Sequence, residues 1–485
     1  MFFNSLSYIV FLIIAVGIYW LIPRGRQRWL LLASIVFYGF WKVEFLVLII
    51  FSAFVDYYVS LRICDATTHT ARKLWLLTSI AINLGLLVYF KYAYFIAGNI
   101  ALLGSLFGQN WYIHLWKITL PLGISFYTFV SLSYTLDIYR RLIDPVRDFG
   151  LYLSYVMFWP HMIAGPILRG HELINQLKQR HCFTASNAIA GVKMIIAGLF
   201  LKVVLADQLA PLVDSAFSSN TEFLSGLDVW TMAFGFGFQI YFDFAGYSLV
   251  AIGSARMLGI HFPDNFNWPY LAVSPRDFWK RWHITLSSWV RDYLYLPLSG
   301  SRYRDSSDGG IDIQVQGSHA PAYMHTTALF VSWFIMGLWH GASWNFALWG
   351  VWHATLIYIY RKLQGRFNGL REWVGSSVGW SLTLPAIMLA WIPFRAATLR
   401  QTFDLLGKVV RPNTYAHLSF RENYYLFVFL LLVGMLFCAL VAKSRRPFLH
   451  IPVVRSAVET AILSVMIYFV FVFLKPVNQF IYFQF

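Results

Sequence analysis

Charge is scarce in this chain. Only 12% of its 485 residues are Asp, Glu, Lys or Arg, against about 25% in an average soluble domain. Apolar residues make up 58% and aromatic residues 19%, and the mean hydropathy is +0.58. Those values exclude an ordinary water-soluble domain and a disordered chain. Acidic residues are the scarcer sign, 22 against 38 basic, for a net charge of +16. A soluble protein with that excess would point to nucleic acid. In a chain this apolar the cations belong in short cytoplasmic loops beside anionic lipid, and no nucleic-acid partner is expected. Cysteine is nearly absent: Cys64, Cys182 and Cys438 lie far apart without CxxC or Cys/His metal spacing. Neither a disulfide framework nor a zinc site is suggested, and no metal is expected.

The common catalytic signatures are missing too. The chain has no GxGxxG, Walker A or HExxH, and the segment Gly246–Val250 fails the GxSxG pattern at its final position. None of the 13 histidines opens a His-x4-Asp spacing, and no Asp-His-His-Cys occurs. Hydride transfer, phosphoryl transfer and a cysteine relay have no apparatus here. There is also no internal repeat, heptad or low-complexity tail.

What the chain has in abundance is apolar runs. Residues 2–22 form the first, and the basic residues Arg24, Arg26 and Arg28 follow it instead of preceding it. That order reads as a retained first helix with its N-terminus outside the cytoplasm. Further runs fall at about 29–41, 44–61, 74–97, 118–138, 151–168, 187–206, 227–260, 326–360, 376–394, 424–442 and 456–474, with basic clusters between several of them. The runs 227–260 and 326–360 exceed one crossing and carry Gly or polar breaks, which predicts a hairpin or a broken helix in each. The runs 29–41 and 151–168 are too short or too interrupted to span. Broken helices at membrane depth need protein or water to satisfy the freed amides, so an internal cavity is expected. The fold class is all-α and polytopic, one integral-membrane domain over 1–485, with a polar surface loop at 301–325.

Chemistry-bearing residues concentrate in a few stretches. VSPRDFWKRWHITLSSWVRDYLYLPL, residues 273–298, alternates charges with aromatics as an amphipathic helix at the cytoplasmic interface would, with Ser274-Pro275 as its start signal. His283 lies within it, either incidental among anchoring tryptophans or, with Arg281, at a cavity mouth. FIMGLWHGASWNFALWGVWHA, residues 334–354, puts His340 in an apolar run. An ionisable group there is a functional hypothesis by default, although a histidine can also serve as a structural donor. Gly341 and Ala342 leave room for an approach to the imidazole or for close helix packing. In a dry pocket a neutral imidazole can accept a proton from a hydroxyl, the requirement of acyl transfer to an alcohol. Asp243, in FQIYFDFAGYS, reads as an acceptor facing a partner inside the bundle, and His161 beside Pro160 reads similarly.

In order, PLGISFYTF, FWPHMIAGPILR, YFDFAGYS, DFWKRWHITLSSWVRDYLYLPL and GLWHGASWNF resemble the bacterial membrane-bound O-acyltransferase (MBOAT) family, in particular its alginate-acetylating branch. The resemblance runs from the first helix to about residue 400. It implies about eleven transmembrane helices plus re-entrant or interfacial ones around a central funnel, in a multi-pass protein of the bacterial inner membrane. It places the family's invariant histidine at His340 and its second recurrent histidine at His283. The implied substrate-binding set is Arg281, Trp282, Trp339, Asn345 and Asp243. The implied donor is acetyl-CoA, with no bound cofactor, and the implied acceptor is an extracytoplasmic polysaccharide reached directly or through a periplasmic acetyltransferase partner. Peptidoglycan, cellulose or a teichoic-type polymer are alternative acceptors. A glycan or lipid transporter is the alternative from another class, since broken helices also serve alternating access.

Overall fold

In hydrocarbon a backbone amide has no water to bond, so a chain this apolar must satisfy its amides within helices. The computed structural model, which describes residues 1–163, 165–304, 314–316, 321–366, 376–443 and 452–474, is helical almost throughout. Among the described residues, six helices are long and apolar enough to cross a bilayer: Glu44–Asp65, His69–Leu106, Ala185–Phe217, Ser377–Arg395, Glu422–Val441 and Val453–Phe473. Two more, Ile124–Tyr139 and Gly226–Met257, are buried along nearly their whole length and form the interior. The first helix, Leu6–Leu21, is shorter than the apolar run that contains it. Ser5 caps it, its hydroxyl accepting from the Tyr8 amide at 3.2 Å, and its 16 residues reach only about 24 Å at ~1.5 Å each.

The long run 227–260 is not broken. Gly226–Met257 is one helix of 32 residues, about 48 Å long. Its glycines are packing surfaces, not breaks. A Cβ on Gly246 would lie 2.7 Å from the Gly198 carbonyl oxygen, and one on Gly253 would lie 2.6 Å from that of Gly191. The helix Ala185–Leu199 therefore lies with its backbone directly against this one, as small residues allow in a membrane. The run 326–360 does break, into Ala322–His340 and Trp344–Arg366. The two arms of that hairpin also meet at glycine: a Cβ on Gly337 would lie 2.2 Å from the Phe346 carbonyl oxygen, and one on Gly350 would lie 2.1 Å from that of Trp333.

Residues 273–298 depart most from expectation. The amphipathic alternation predicts one interfacial helix, but the segment is Pro275–Trp279, Ile284–Val290, the π-helical turn Arg291–Tyr295 and the short Leu296–Leu298. The start signal holds: Ser274 accepts from the Asp277 amide at 3.1 Å, with Pro275 at the first helical position. The break falls at His283, whose φ of 41° is left-handed. Phe278, Trp282, His283 and Leu286 are buried, so the middle of this stretch enters the interior, while Arg276, Lys280 and Arg291 stay exposed. Most of the polar loop 301–325 lies outside the described residues; within it Arg302–Arg304 pairs antiparallel with Gln314–Gln316.

Candidate active site

The segments singled out in the sequence converge through two polar junctions and one aromatic box. The first junction is Asn265. Its Nδ2 donates to the Ser248 hydroxyl at 3.1 Å, and its Oδ1 accepts from the Thr285 hydroxyl at 2.9 Å and lies 3.1 Å from His283 Nδ1. The Thr285 hydroxyl in turn accepts from the Ile167 amide at 3.0 Å. One buried amide thus ties YFDFAGYS, GPILR and the RWH segment together. The second junction is Asp292, which receives the Arg169 guanidinium at 2.5 Å and that of Arg291 at 2.5 Å. Beside it, the Tyr293 hydroxyl donates to both oxygens of Asp137 at 2.9 Å, and Arg140 and Arg169 lie 5.2 and 5.4 Å from the Tyr293 ring centre.

His340 ends its helix because Gly341 turns extended, with φ −161°. Gly341 does not leave a channel: a Cβ there would lie 2.0 Å from the Phe346 ring, so the space beside the imidazole is packed. The end of this helix is held from a distant part of the chain. Tyr92 donates to the Leu338 carbonyl at 2.8 Å, and Lys91 Nζ donates to the carbonyls of Trp339 at 2.5 Å and His340 at 3.0 Å. Both come from the π-helical turn Val88–Tyr92. A cation over the terminal carbonyls also complements the negative end of the helix dipole.

Around the His340 ring stand Trp339 and Trp349, each 4.9 Å between centres, and Phe394 at 5.3 Å. Trp339 is stacked on Phe129 at 4.9 Å, and Phe129 on Trp289 at 3.9 Å, which brings PLGISFYTF to the same wall. Trp391 bridges the other side, 6.1 Å from Trp349 and 4.9 Å from Trp282, the neighbour of His283. His340 is 3% exposed, and His283 and His353 are 0% exposed. His283 and His353 both lie within electrostatic reach of His340. Among the described residues, aromatic rings thus pack around the buried His340 imidazole. A cleft of about 430 Å³ between Gly226–Met257 and Glu422–Lys443 is lined by Leu227, Trp230, Phe234, Tyr425 and Phe429 among others, and touches none of the three histidines.

The remaining predicted residues fall in different places. Trp282 and Trp339 belong to the box. Arg281 is at its rim, paired with Asp277 at 2.9 Å. Asn345 is turned away: its Nδ2 donates to the Ala396 carbonyl at 2.7 Å and its Oδ1 accepts from Thr402 at 3.3 Å, so it pins neighbouring helices together. Asp243 is held by Lys202 at 2.6 Å, and Lys202 also pairs with Asp207 at 2.8 Å. His161 Nε2 is bonded to the Tyr155 carbonyl at 2.9 Å. Sequence reasoning missed Asn265, Lys91 and His353. His353 carried a signal, a second buried histidine in the His340 segment. Lys91 carried the same kind of signal, a cation inside the apolar run 74–97, whereas Asn265 carried none, because its role depends on contacts across the chain. Among the described residues no cluster of His, Cys, Asp or Glu forms a metal site.

Residues 30–308 match the MBOAT, membrane-bound O-acyltransferase family, a span that takes in His283 and ends before His340. The chain is 36% identical over 82% of its length to a probable alginate O-acetylase of Azotobacter vinelandii, of which 75% is covered. It is 37% identical over 82% of its length to the corresponding protein of Pseudomonas aeruginosa, with 72% of that protein covered. It is 33% identical over 83% of its length to a peptidoglycan O-acetyltransferase of Helicobacter pylori, covering 78% of it. With the helical hairpin that carries His340 and the segments gathered around it, these likenesses lead to one conclusion: the chain belongs to the membrane-bound O-acyltransferase family and is an acyltransferase.

Proposed function

We propose that this enzyme takes an acetyl group from acetyl-CoA at the cytoplasmic face of the bacterial inner membrane and delivers it to a hydroxyl of an extracytoplasmic polysaccharide, an alginate-like polymer, directly or through a periplasmic partner. The observation that carries the reading is the placement of His340 at the break of a buried hairpin, walled by aromatic rings, with two further buried histidines in reach. The donor's phosphates would meet the exposed basic residues Arg276 and Lys280 and the rim residue Arg281. Its acetyl-thioester arm would pass between Trp282, Trp391 and Trp349, and this needs at least one of those rings to swing aside.

His340 then acts as general base. It accepts the proton of the acceptor hydroxyl while the oxygen attacks the thioester carbonyl, and the tetrahedral intermediate collapses as the carbon–sulfur bond breaks. The departing thiolate recovers the proton from the imidazolium, so the ring is restored. His283 is the orienting or relaying group. Because Asn265 Oδ1 also receives the Thr285 hydroxyl, its amide oxygen faces His283; Nδ1 of His283 carries the hydrogen and Nε2 is the open acceptor. Asp243 and Asn345 support the walls.

The likeness to a peptidoglycan O-acetyltransferase favours peptidoglycan as the second acceptor to consider. Mass analysis of envelope glycans from cells complemented with wild-type or His340→Ala protein tests both. Loss of O-acetyl groups from one polymer in the mutant identifies the acceptor. Near-normal acetylation with correctly inserted mutant protein rejects the role of His340.

A further inference from the structure

We propose that His353 and Trp349 form a carbonyl-binding pair, two N–H donors that receive the oxygen of the transferred acyl group while it becomes negatively charged. The inference rests on the acyl-transfer reading of His340 given above.

Trp349 and His353 are four residues apart on the helix Trp344–Arg366, hence on one face. Their ring centres are 4.7 Å apart, and Trp349 lies 4.9 Å from the His340 ring. His353 is 0% exposed. Its orientation is fixed on both sides: its ring lies parallel to Phe278 at 6.1 Å and 6°, and its Nδ1 is 3.3 Å from Trp279 Nε1. An indole nitrogen can only donate, so Nδ1 is the unprotonated nitrogen and the neutral ring carries its hydrogen on Nε2. That Nε2–H has no hydrogen-bond acceptor among the described residues, and neither has Trp349 Nε1–H. A buried donor left without an acceptor destabilises the fold. Two such donors side by side, next to the base, fit a ligand oxygen that arrives with the substrate.

The chemistry matches the need of the step. As the acceptor oxygen adds to the thioester carbon, the carbonyl π electrons move onto its oxygen, and fixed N–H donors stabilise the charge with no reorganisation. When the carbon–sulfur bond breaks, the carbonyl re-forms and the product ester leaves. His283 and His353 present opposite polarity: His283 offers a bare nitrogen, and His353 offers an N–H. The first suits a proton in transit and the second a developing oxyanion.

The test uses full-length protein purified in detergent. Gln at position 353 retains an N–H donor near the place of Nε2, whereas Met retains only the bulk. We expect His353→Met to lose about 10²–10³ in kcat, the share of one oxyanion donor, with the KM for acetyl-CoA little changed, and His353→Gln to recover at least tenfold of that loss. Trp349→Phe, which keeps the ring and removes the N–H, is expected to lower kcat tenfold or more. A second readout does not depend on turnover. In a His340→Ala background the infrared stretch of bound [1-13C]acetyl-CoA is expected to shift to lower frequency, to lose that shift with His353→Met and to keep it with His353→Gln. Equal activity and equal carbonyl frequency in the Met and Gln variants would overturn the proposal. If His340→Ala itself turns over normally, the acyl-transfer assignment fails instead, and the two failures are told apart.

Discussion

At the scale of single residues, the same chemical group serves opposite purposes depending on its partners. Asn345 lies only five residues beyond His340, and the resemblance counts it among the substrate-binding residues. Its amide is spent on Ala396 and Thr402. Asn345→Ala would leave the Ala396 carbonyl buried without its donor, at a cost of about 1–3 kcal/mol. We therefore expect a lower melting temperature in detergent with kcat at low temperature largely kept. A variant that melts like wild type yet has lost its activity would return Asn345 to the reaction. His340 was legible in the sequence because an ionisable group in an apolar run demands an explanation, and His283 only as one of two readings within the charged, tryptophan-rich segment 273–298. His353 stands in the same run, but its hydrogen-bond partner, Trp279, is 74 residues away. No local pattern announces such a pair. Asp243 was legible as a buried acceptor, and the lysine that holds it lies on another helix.

At the scale of elements, the hairpin that carries His340 is set by what closes its ends. Lys91 and Tyr92 hold three terminal carbonyls of Ala322–His340, and the π-helical turn that presents them is the kind of irregularity that often accompanies function. Lys91→Met is expected to lower kcat on the order of tenfold or more, since small misplacements of a base are costly, and Lys91→Arg to restore much of it. Turnover by Lys91→Met equal to wild type, measured at saturating donor, would show that the cap does not position the histidine. The glycine contacts are a second element-scale feature. Gly246→Val would drive a side chain into the Gly198 backbone, and overpacking of that kind costs roughly 1–3 kcal/mol where the backbone can move at all. Gly17, with nothing within 4 Å of its would-be Cβ, is the control, and Gly17→Ala should be neutral or slightly stabilising. Size-exclusion profiles of the two variants check the contrast. The existence of most long helices was legible from apolar length. The continuity of Gly226–Met257 was not, because glycine reads as a break in isolation and as a contact only when its neighbour is known. The 273–298 segment misleads for the converse reason: its charge alternation is that of a surface helix, while its tryptophans belong to the interior.

At the scale of the whole molecule, lipid-facing helices such as Val453–Phe473 surround an interior in which polar groups are concentrated on a few junctions. The aromatic box sits where those junctions meet, and the three histidines in it are buried. On the mechanism proposed above, packed rings around His340 protect the thioester from water before the acceptor arrives. Phe394→Ala, which removes one wall of the His340 site, should therefore raise the ratio of acetyl-CoA hydrolysis to transfer, read as free acetate against acetylated glycan. An unchanged ratio would mean that water is excluded elsewhere. The central claim, that His340 accepts a proton during acyl transfer from acetyl-CoA, is tested most directly by following labelled acetyl from acetyl-CoA onto an alginate acceptor with purified wild-type and His340→Ala protein. The predicted result is a loss of at least a hundredfold in rate with donor binding retained in the mutant. Transfer by His340→Ala at the wild-type rate would contradict it.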